Sequence, residues 1–204
     1  MLYRFGRFLS RLLFTLTGRL ESIGSESIPE TGGVIVCSNH ISHLDPPAVG
    51  AGMSRQVHFM AKEELFRVPV LGELIRRVGA FPVRRGTADR RALKRAIELL
   101  NEGHVVGLFP EGTRSTDGKL RSPEPGVGLI VLKSGAPVVP AAVSGTNRVL
   151  PSGSSRLRRH RCRVAYGNPM RFDDLAGSCD RSAVEEVGRR IMSAIAELQS
   201  PQGS

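Results

Sequence analysis

A histidine and an aspartate stand five positions apart, at His40 and Asp45, directly after a short apolar run. A carboxylate that hydrogen-bonds one imidazole nitrogen fixes the tautomer and raises the basicity of the other nitrogen. A tight turn between these residues would therefore make His40 a general base for an alcohol, oriented by Asp45. The same spacing is frequent by chance, and a hydrogen-bonded histidine in a turn or in the core is the alternative interpretation.

A second reactive segment, FPEGTRS, occupies residues 109–115. It supplies the carboxylate of Glu111, the hydroxyl of Thr113, the guanidinium of Arg114 and, at Gly112, a residue that allows the backbone to approach a ligand closely. This combination could hold a polyol and a phosphate. A plain surface turn is the alternative.

A third segment, residues 79–86, places Arg84 and Arg85 at the end of a predicted strand. The planar guanidinium fork suits phosphate, although a solvated basic loop is the alternative. A zinc site at His40, His43 and Asp45 would need further ligands. The other histidines near predicted strand ends are those at positions 58 and 104, and we expect no metal.

Short apolar runs and amphipathic segments alternate along the chain and must position these side chains. The predicted strands are 34–37, 57–60, 80–83, 105–109, 138–143 and 162–166, and the predicted helices are 70–78, 87–100, 127–133 and a last helix that begins with the capping-box pattern Ser182 to Glu185. Pro82 restricts its strand to an edge or a strand end. The fold class is therefore α/β, with a mixed, largely parallel central sheet flanked by helices.

The first 20 residues contain four arginines and no acid. Helical spacing aligns an apolar stripe and, on another face, a basic row; these comprise Leu2, Phe5, Leu9, Leu12, Leu13 and Leu16, and Arg4, Arg7 and Arg11, respectively. This pattern is typical of a helix in a membrane interface, and packing on the domain's own core is the alternative. The longest uncharged stretches have 14 residues, whereas a spanning helix needs about 20 apolar ones, so we expect no transmembrane helix.

The chain has 204 residues and a formal net charge of +10. Its partner is therefore expected to be anionic: a nucleic acid, a membrane surface or a phosphorylated small molecule. A basic run covers residues 156–163, and no acid occurs between Glu124 and Asp173. Only Tyr166 lies near this run as an aromatic residue that could stack on bases, which favours a solvated loop or a membrane surface over nucleic acid. Three cysteines indicate no disulfide framework.

Nucleotide-dependent chemistry finds no support in the sequence, because it has neither a P-loop nor a G-x-G-x-x-G segment after a strand. A G-x-S-x-G hydrolase elbow is also missing from the sequence.

In their order, the three segments resemble the glycerophospholipid acyltransferase family, specifically the lysophosphatidic acid acyltransferases. The family's N-H-x4-D motif is matched from Asn39 to Asp45, and its F-P-E-G-T-R-S motif is present unchanged at residues 109–115. The G-x-x-F-[IV]-x-R motif is matched at its glycine, its aliphatic residue and Arg85, but Pro82 stands where the pattern has Phe. A strand around V-P at 139–143 and a strand-end lysine at 62 complete the likeness, which spans about residues 28–143.

The resemblance implies a mechanism. His40, oriented by Asp45, would act as general base on the sn-2 hydroxyl of 1-acylglycerol 3-phosphate, which attacks the thioester of acyl-CoA or acyl carrier protein without a covalent acyl-enzyme. The substrate phosphate would contact four cations, namely Lys62, Arg84, Arg85 and Arg114. Glu111, Gly112 and Thr113 would contact the glycerol part, and backbone N–H groups near Gly112 would support the oxyanion. No cofactor is implied.

With the amphipathic pattern of the first residues, the resemblance predicts a membrane-associating helix at 1–18, a single acyltransferase domain at 19–204, and peripheral attachment to the cytoplasmic face of the cell membrane. The partners would be membrane lipid and an acyl thioester, carried by either coenzyme A or an acyl carrier protein, with no nucleic acid. Two alternatives stay open. The acceptor could be glycerol 3-phosphate, another lysophospholipid or an amino-lipid, or the chain could be a peripheral membrane-binding module without catalysis.

Overall fold

A computed structural model describes residues 2–84, 86 and 89–200, without the side chains of Leu2 and Arg4. The strands are β1 Leu20–Ile23, β2 Val34–Ser38, β3 Val57–Lys62, β4 Phe81–Val83, β5 Val105–Leu108, β6 Val138–Ser144 and β7 Cys162–Tyr166. The helices are α1 Leu2–Thr17, α2 Asp45–Gly52, α3 Leu71–Arg77, α4 Arg90–Asn101, α5 Pro125–Ser134, α6 Thr146–Val149 and α7 Arg181–Gln199. Three short 3₁₀ helices lie at Ser25–Ser27, Glu63–Arg67 and Asp173–Leu175.

The seven strands form one sheet in the order β1-β7-β6-β2-β5-β3-β4. Every pairing is parallel except that of β6 with β7. The predicted mixed, largely parallel α/β fold is thereby confirmed, and β4, which contains Pro82, lies at the sheet edge as expected. Because β2, β3, β4, β5 and β6 run in one direction, the residues that follow them meet at one edge of the sheet, called here the carboxyl edge.

Helices cover both faces of the sheet, and each face has its own apolar core. On one face, β2 residues such as Val34 and Val36 pack with residues of α1 and α2, including Phe14 and Val49. On the other face, Ile35 and its neighbours pack with residues of α4, α5 and α7. Two-sided burial is what parallel strands require, and it explains why β2 is buried along its whole length and apolar from Val34 to Cys37.

The orientation of α1 differs in part from the sequence expectation. Two members of its basic row contact the protein: Arg7 donates to the carbonyl oxygens of Met53 and Ser54 at 2.8 and 2.9 Å, and Arg11 donates to the carbonyl oxygen of Ala51 at 3.1 Å. These carbonyls lie at the C-terminal end of α2, where a helix leaves acceptors unsatisfied and attracts cations. Arg7 and Arg11 therefore attach α1 to α2, a structural role that the spacing did not suggest, although Arg11 also remains exposed.

The outward face of α1 is apolar. Its exposed members are Phe5, Phe8, Leu9, Leu12 and Leu16, with 42% to 66% of each residue accessible. Four of these belong to the predicted stripe; Leu13, also predicted there, packs against the core instead. Leu2 and Arg4 are predicted members whose side chains lie outside the description. Among the described residues, no helix combines the length and the apolar character needed to cross a bilayer.

The caps of two helices differ from the sequence expectation. The helix expected from Thr87 begins at Arg90, and Asp89 caps it by accepting from the N–H groups of Arg91 and Ala92; Thr87 itself lies outside the described residues. The last helix is capped by Asp180, and its capping contact is with Ala183 at 2.8 Å. In both cases an aspartate supplied a better acceptor than the expected start, because a carboxylate accepts strongly from free N–H groups.

Candidate active site

The turn after β2 brings the His40 imidazole onto the Asp45 carboxylate. Nδ1 of His40 lies 2.8 Å from Oδ2 of Asp45. An ionised carboxylate only accepts hydrogen bonds, so Nδ1 carries the proton and Nε2 is left as the basic nitrogen. The predicted pairing of these two residues is therefore present.

The free nitrogen of His40 reaches solvent. Nε2 makes no hydrogen bond with a described residue. Of all buried side-chain polar atoms in the described ranges, only Nε of Arg163 lacks a partner, so Nε2 of His40 is not sealed inside the protein. The His40 side chain is 8% exposed. The ring is thus held by its surroundings while one nitrogen remains available to a substrate hydroxyl.

Asp45 is completely buried and fully occupied by hydrogen bonds. Besides the imidazole, Oδ2 accepts from the backbone N–H groups of Ile41 at 2.6 Å and Ser42 at 2.7 Å. Oδ1 accepts from the hydroxyl of Thr146 at 2.6 Å. Asp45 is also the first residue of α2, where the helix dipole favours negative charge. These contacts stabilise the carboxylate ion and fix the position from which it orients His40.

A second residue of the turn fixes the backbone. The Asn39 side chain donates to the carbonyl oxygen of Val143 at 3.0 Å and accepts from the N–H of Val143 at 2.7 Å. The amide therefore acts as an extra ladder partner for β6 just where β2 ends. This contact holds the turn that begins at His40.

The segment 109–115 folds over His40. The ring of Phe109 stacks on the imidazole, with centroids 4.0 Å apart, and also stacks on Phe59, with centroids 5.8 Å apart. The N–H of Ser115 donates to the carbonyl oxygen of His40 at 2.7 Å. Only glycine fits at position 107 in β5, because a Cβ there would lie 2.4 Å from the Phe59 ring.

Glu111 is buried beneath this fold, where its carboxylate holds two backbone groups. One oxygen accepts from the N–H of His40 at 2.9 Å, and the other accepts from the N–H of Arg121 at 3.2 Å. Burial raises the pKa of the Glu111 carboxyl, and the two N–H donors oppose that rise. Glu111 therefore positions the backbone of His40, a contact that the sequence did not indicate.

Gly112 and Thr113 continue the segment. Gly112 has a φ of 65°, and a Cβ there would lie 2.7 Å from the side chain of Glu124, so both conformation and space favour glycine. Its N–H donates to the carbonyl oxygen of Phe109 at 3.0 Å. Thr113 is exposed.

The predicted phosphate-binding cations fall into two groups. Lys62 and Arg84 lie at the ends of β3 and β4 and are already paired, with Glu64 at 3.2 Å and with Glu63 at 2.7 Å, respectively. Arg114 is half-buried and forms no ion pair or hydrogen bond through its side chain within the described part of the chain. Arg85 lies outside the described residues. Arg114 therefore differs from Lys62 and Arg84, because no described carboxylate compensates its charge. It also directly precedes Ser115, whose N–H contacts His40.

A search of the described ranges finds no group of three or more His, Cys, Asp or Glu side chains that could hold a metal ion.

A largely parallel sheet with a carboxylate-bonded histidine at its carboxyl edge defines an α/β protein in which one imidazole nitrogen is free to accept a proton. The sequence model of one family, described as Acyltransferase, matches residues 19–144, more than half of the chain. The chain therefore belongs to the acyltransferase family, and its His40–Asp45 pair stands where that family's H-x4-D motif falls.

Named relatives and a solved structure agree with this membership. The chain is 29% identical over 201 residues to the 1-acyl-sn-glycerol-3-phosphate acyltransferase of Bacillus subtilis (strain 168), covering 98% of each chain. It is 34% identical to the chloroplastic 1-acyl-sn-glycerol-3-phosphate acyltransferase LPAT1 of Arabidopsis thaliana, over 77% of this chain and 46% of that protein. The crystal structure of the 1-acyl-sn-glycerophosphate (LPA) acyltransferase PlsC from Thermotoga maritima superposes with a TM-score of 0.81 at 28% identity, covering 99% of this chain and 81% of the other.

Proposed function

We propose that this protein transfers a fatty acyl chain from a thioester donor to the sn-2 hydroxyl of 1-acylglycerol 3-phosphate, giving phosphatidic acid. The observation that carries the proposal is the His40 imidazole, with Nδ1 on the buried Asp45 and Nε2 open to solvent. The relatives named as 1-acyl-sn-glycerol-3-phosphate acyltransferases support this choice of acceptor.

In this mechanism Nε2 of His40 accepts the proton of the acceptor hydroxyl as its oxygen attacks the thioester carbonyl carbon. The carbon–sulfur bond then breaks, the acyl chain stays on the glycerol oxygen, and the departing thiolate takes the proton from His40. A thioester is already an activated acyl group, so positioning and a base are the main requirements. A positioned base contributes on the order of 10²–10⁴ in rate.

The acceptor phosphate is assigned first to Arg114. Its guanidinium has no partner among the described residues, and it follows directly on the segment that covers His40. Lys62 and Arg84 would bind the phosphate only by exchanging Glu64 and Glu63 for it. Arg85 belongs to the same proposed set by its place in the sequence.

The glycerol part and the oxyanion are assigned to the segment from Glu111 to Arg114. The N–H of Gly112 is used inside the turn, whereas the N–H groups of Thr113 and Arg114 have no partner within the described ranges. We assign the oxyanion to these two groups, because backbone donors beside a reacting carbonyl stabilise the charge that develops there. Each Glu111 oxygen keeps a second lone pair for an acceptor hydroxyl.

Attachment to the membrane is assigned to α1, whose outward apolar face includes Phe8 and Leu12. Residues 1–18 would thus form the membrane-associating helix and 19–204 the acyltransferase domain; the family match beginning at residue 19 supports that boundary. We also propose that the reaction takes place at the cytoplasmic face of the cell membrane; the lipid character of the proposed acceptor supports a membrane surface as its location. Replacing Phe8 and Leu12 by Ser should reduce co-sedimentation with phosphatidylcholine vesicles.

The proposal is tested by measuring thiol release with purified, detergent-solubilised protein. Acyl-CoA and acyl carrier protein donors are crossed with 1-acylglycerol 3-phosphate, glycerol 3-phosphate, 1-acylglycerol and a lysophospholipid with a larger headgroup. Release that requires 1-acylglycerol 3-phosphate supports the proposal. Equal release with 1-acylglycerol, which lacks phosphate, would contradict the assigned phosphate contacts, and release with no acceptor present would indicate hydrolysis instead of transfer.

A further inference from the structure

The loop between α6 and β7, residues 150–161 and here called the basic loop, carries a concentrated positive charge. Four of its residues are exposed arginines: Arg156, Arg158, Arg159 and Arg161. None of these four guanidinium groups forms an ion pair or a hydrogen bond within the part of the chain that the structure describes. The nearest acids along the sequence are Glu124 and Asp173, so the loop has no carboxylate within its own stretch of the chain.

Several basic side chains of α4 and α7, by contrast, pair with glutamates of the same helix. On α7, Arg181 pairs with Glu185 at 2.7 Å, and Arg189 pairs with Glu186 at 2.7 Å. On α4, Lys94 lies 3.8 Å from Glu98. The helices on that face of the sheet thus compensate much of their own positive charge with neighbouring glutamates, whereas the basic loop leaves its charge for an outside anion.

The sheet places the basic loop beside the catalytic residues. Because β7 runs antiparallel to β6, the loop enters β7 at the carboxyl edge, where His40 lies. Strand β7 is two positions from β2 in the sheet order, which corresponds to about 10 Å at the usual strand spacing. The loop is also tied to α6, since the N–H of Arg158 donates to the carbonyl oxygen of Val149 at 2.8 Å.

The same loop contacts the end of α1. The N–H of His160 donates to the carbonyl oxygen of Thr17, the last residue of α1, at 2.7 Å. Leu16, the neighbouring residue on the apolar face of α1, is 66% exposed, and Leu157 in the loop is 49% exposed. An apolar face and an unpaired basic loop therefore adjoin each other at the edge of the sheet that holds the catalytic pair.

We propose that the basic loop binds the anionic headgroups of a phospholipid bilayer and orients the carboxyl edge toward that surface. This inference rests on the proposed attachment of α1 to the membrane. An apolar face inserted below the headgroups with arginines at their level is the arrangement that anionic bilayers select. The bilayer is favoured over an acidic carrier protein because both Leu16 and Leu157 expose apolar surface beside the charge.

The test is vesicle flotation of the full chain with phosphatidylcholine alone and with phosphatidylcholine containing phosphatidylglycerol. The loop variant carries Arg156→Gln, Arg158→Gln, Arg159→Gln and Arg161→Gln. The matched control carries Arg91→Gln, Lys94→Gln, Arg181→Gln and Arg189→Gln, which removes the same charge from α4 and α7, on the face of the sheet opposite α1. Thiol release in detergent is measured for each variant, since none of these residues belongs to the assigned site.

Each arginine near an anionic surface strengthens binding about fivefold. With four arginines removed, we expect the loop variant to bind phosphatidylglycerol-containing vesicles about 600-fold more weakly than the control, while both bind phosphatidylcholine equally and keep their activity in detergent. High salt should abolish the difference. Equal binding of loop variant and control to the anionic vesicles would overturn the inference.

Three further outcomes separate the causes of failure. A loop variant that keeps its preference for anionic vesicles but loses activity only with acyl carrier protein donors would overturn the inference and assign the loop to the carrier. A wild-type chain that binds neither vesicle yet transfers acyl groups in detergent would overturn both membrane proposals and leave the catalytic one intact. A wild-type chain that shows no acyl transfer in detergent would instead contradict the proposed function.

Discussion

Two regions at the carboxyl edge differ in whether their polar groups are hydrogen-bonded within the protein. Around His40, every oxygen of the two buried carboxylates accepts hydrogen bonds, from Thr146, from backbone N–H groups and from the imidazole itself. In the basic loop, four exposed guanidinium groups have no partner among the described residues. Saturated groups inside the protein fix a geometry, because leaving a buried polar group unpaired is costly. Unsaturated groups on the surface remain available to bind something else.

Asp45→Asn should have the largest effect on activity of the changes compared here. It removes the negative charge beside His40 and puts an amide where four hydrogen-bond donors meet the carboxylate. The imidazole would lose its fixed tautomer, and we expect kcat to fall on the order of 10²–10⁴-fold. Thiol release with saturating 1-acylglycerol 3-phosphate measures this, and circular dichroism checks the fold. An active Asp45→Asn protein would mean that the carboxylate has only a structural role.

Arg114→Gln tests whether the unpaired cation contributes more to binding of the substrate phosphate than the paired cations do. A charge-assisted contact contributes about 1.5–3 kcal/mol, so we expect the KM for 1-acylglycerol 3-phosphate to rise about 10- to 100-fold, with kcat less affected. Lys62→Gln is the matched control, since Lys62 already binds Glu64, and its KM should change less. A larger rise in KM for Lys62→Gln than for Arg114→Gln would reverse the assignment.

Thr146→Val tests whether the second oxygen of Asp45 must be saturated. The change keeps the side-chain shape and leaves Oδ1 without its 2.6 Å donor, so we expect kcat to fall about tenfold at unchanged KM and the pH–rate profile to shift. Thr146→Ser, which restores the hydroxyl, should recover most of the activity. If Thr146→Ser is as impaired as Thr146→Val, packing of the methyl group matters and the hydrogen bond does not.

The Asp180 carboxylate also accepts several hydrogen bonds, but unlike Asp45 and Glu111 it is exposed. It accepts from Ala183, Ser182 and Ser178 at the start of α7, and these donors lower its pKa to about 2. Since its folded pKa is depressed, its contribution to stability is present above about pH 4 and is lost as the pH falls toward about 2.

Asp180→Ala should therefore lower the midpoint of thermal unfolding at neutral pH by only about 2–4 °C and leave thiol release unchanged. Ser182→Ala, at the position where the sequence placed the cap, is the control and should lower it less. A drop in activity for Asp180→Ala would show that hydrogen-bond saturation alone, without burial, marks functional carboxylates here.

Local patterns in the sequence predicted the fold class and the main reactive residues. His40 and Asp45 are five residues apart, so a single turn brings them together, and the segment 109–115 follows a strand that ends at the same edge. Strand β1 was missed because Leu20–Ile23 alternates too little to signal a strand and is stabilised by β7 from the far end of the chain.

Long-range contacts explain what the sequence could not reveal. Thr146 reaches Asp45 across 101 positions, and the hydroxyl of one threonine carries no signal of its own. Arg7 and Arg11 followed a row that is typical of a solvent-facing side, yet they bind the free carbonyls at the end of α2, a helix that the sequence did not predict. The motif residues were visible because their spacing is short, whereas the residues that hold them were not.

The most direct test of the account is the turnover of His40→Ala in the detergent thiol-release assay, with the unfolding midpoint measured on the same preparation. We predict a folded protein whose kcat falls on the order of 10²–10⁴-fold, since Nε2 is the atom assigned to take the hydroxyl proton. Near wild-type turnover by a folded His40→Ala protein would contradict the claim that this imidazole is the base.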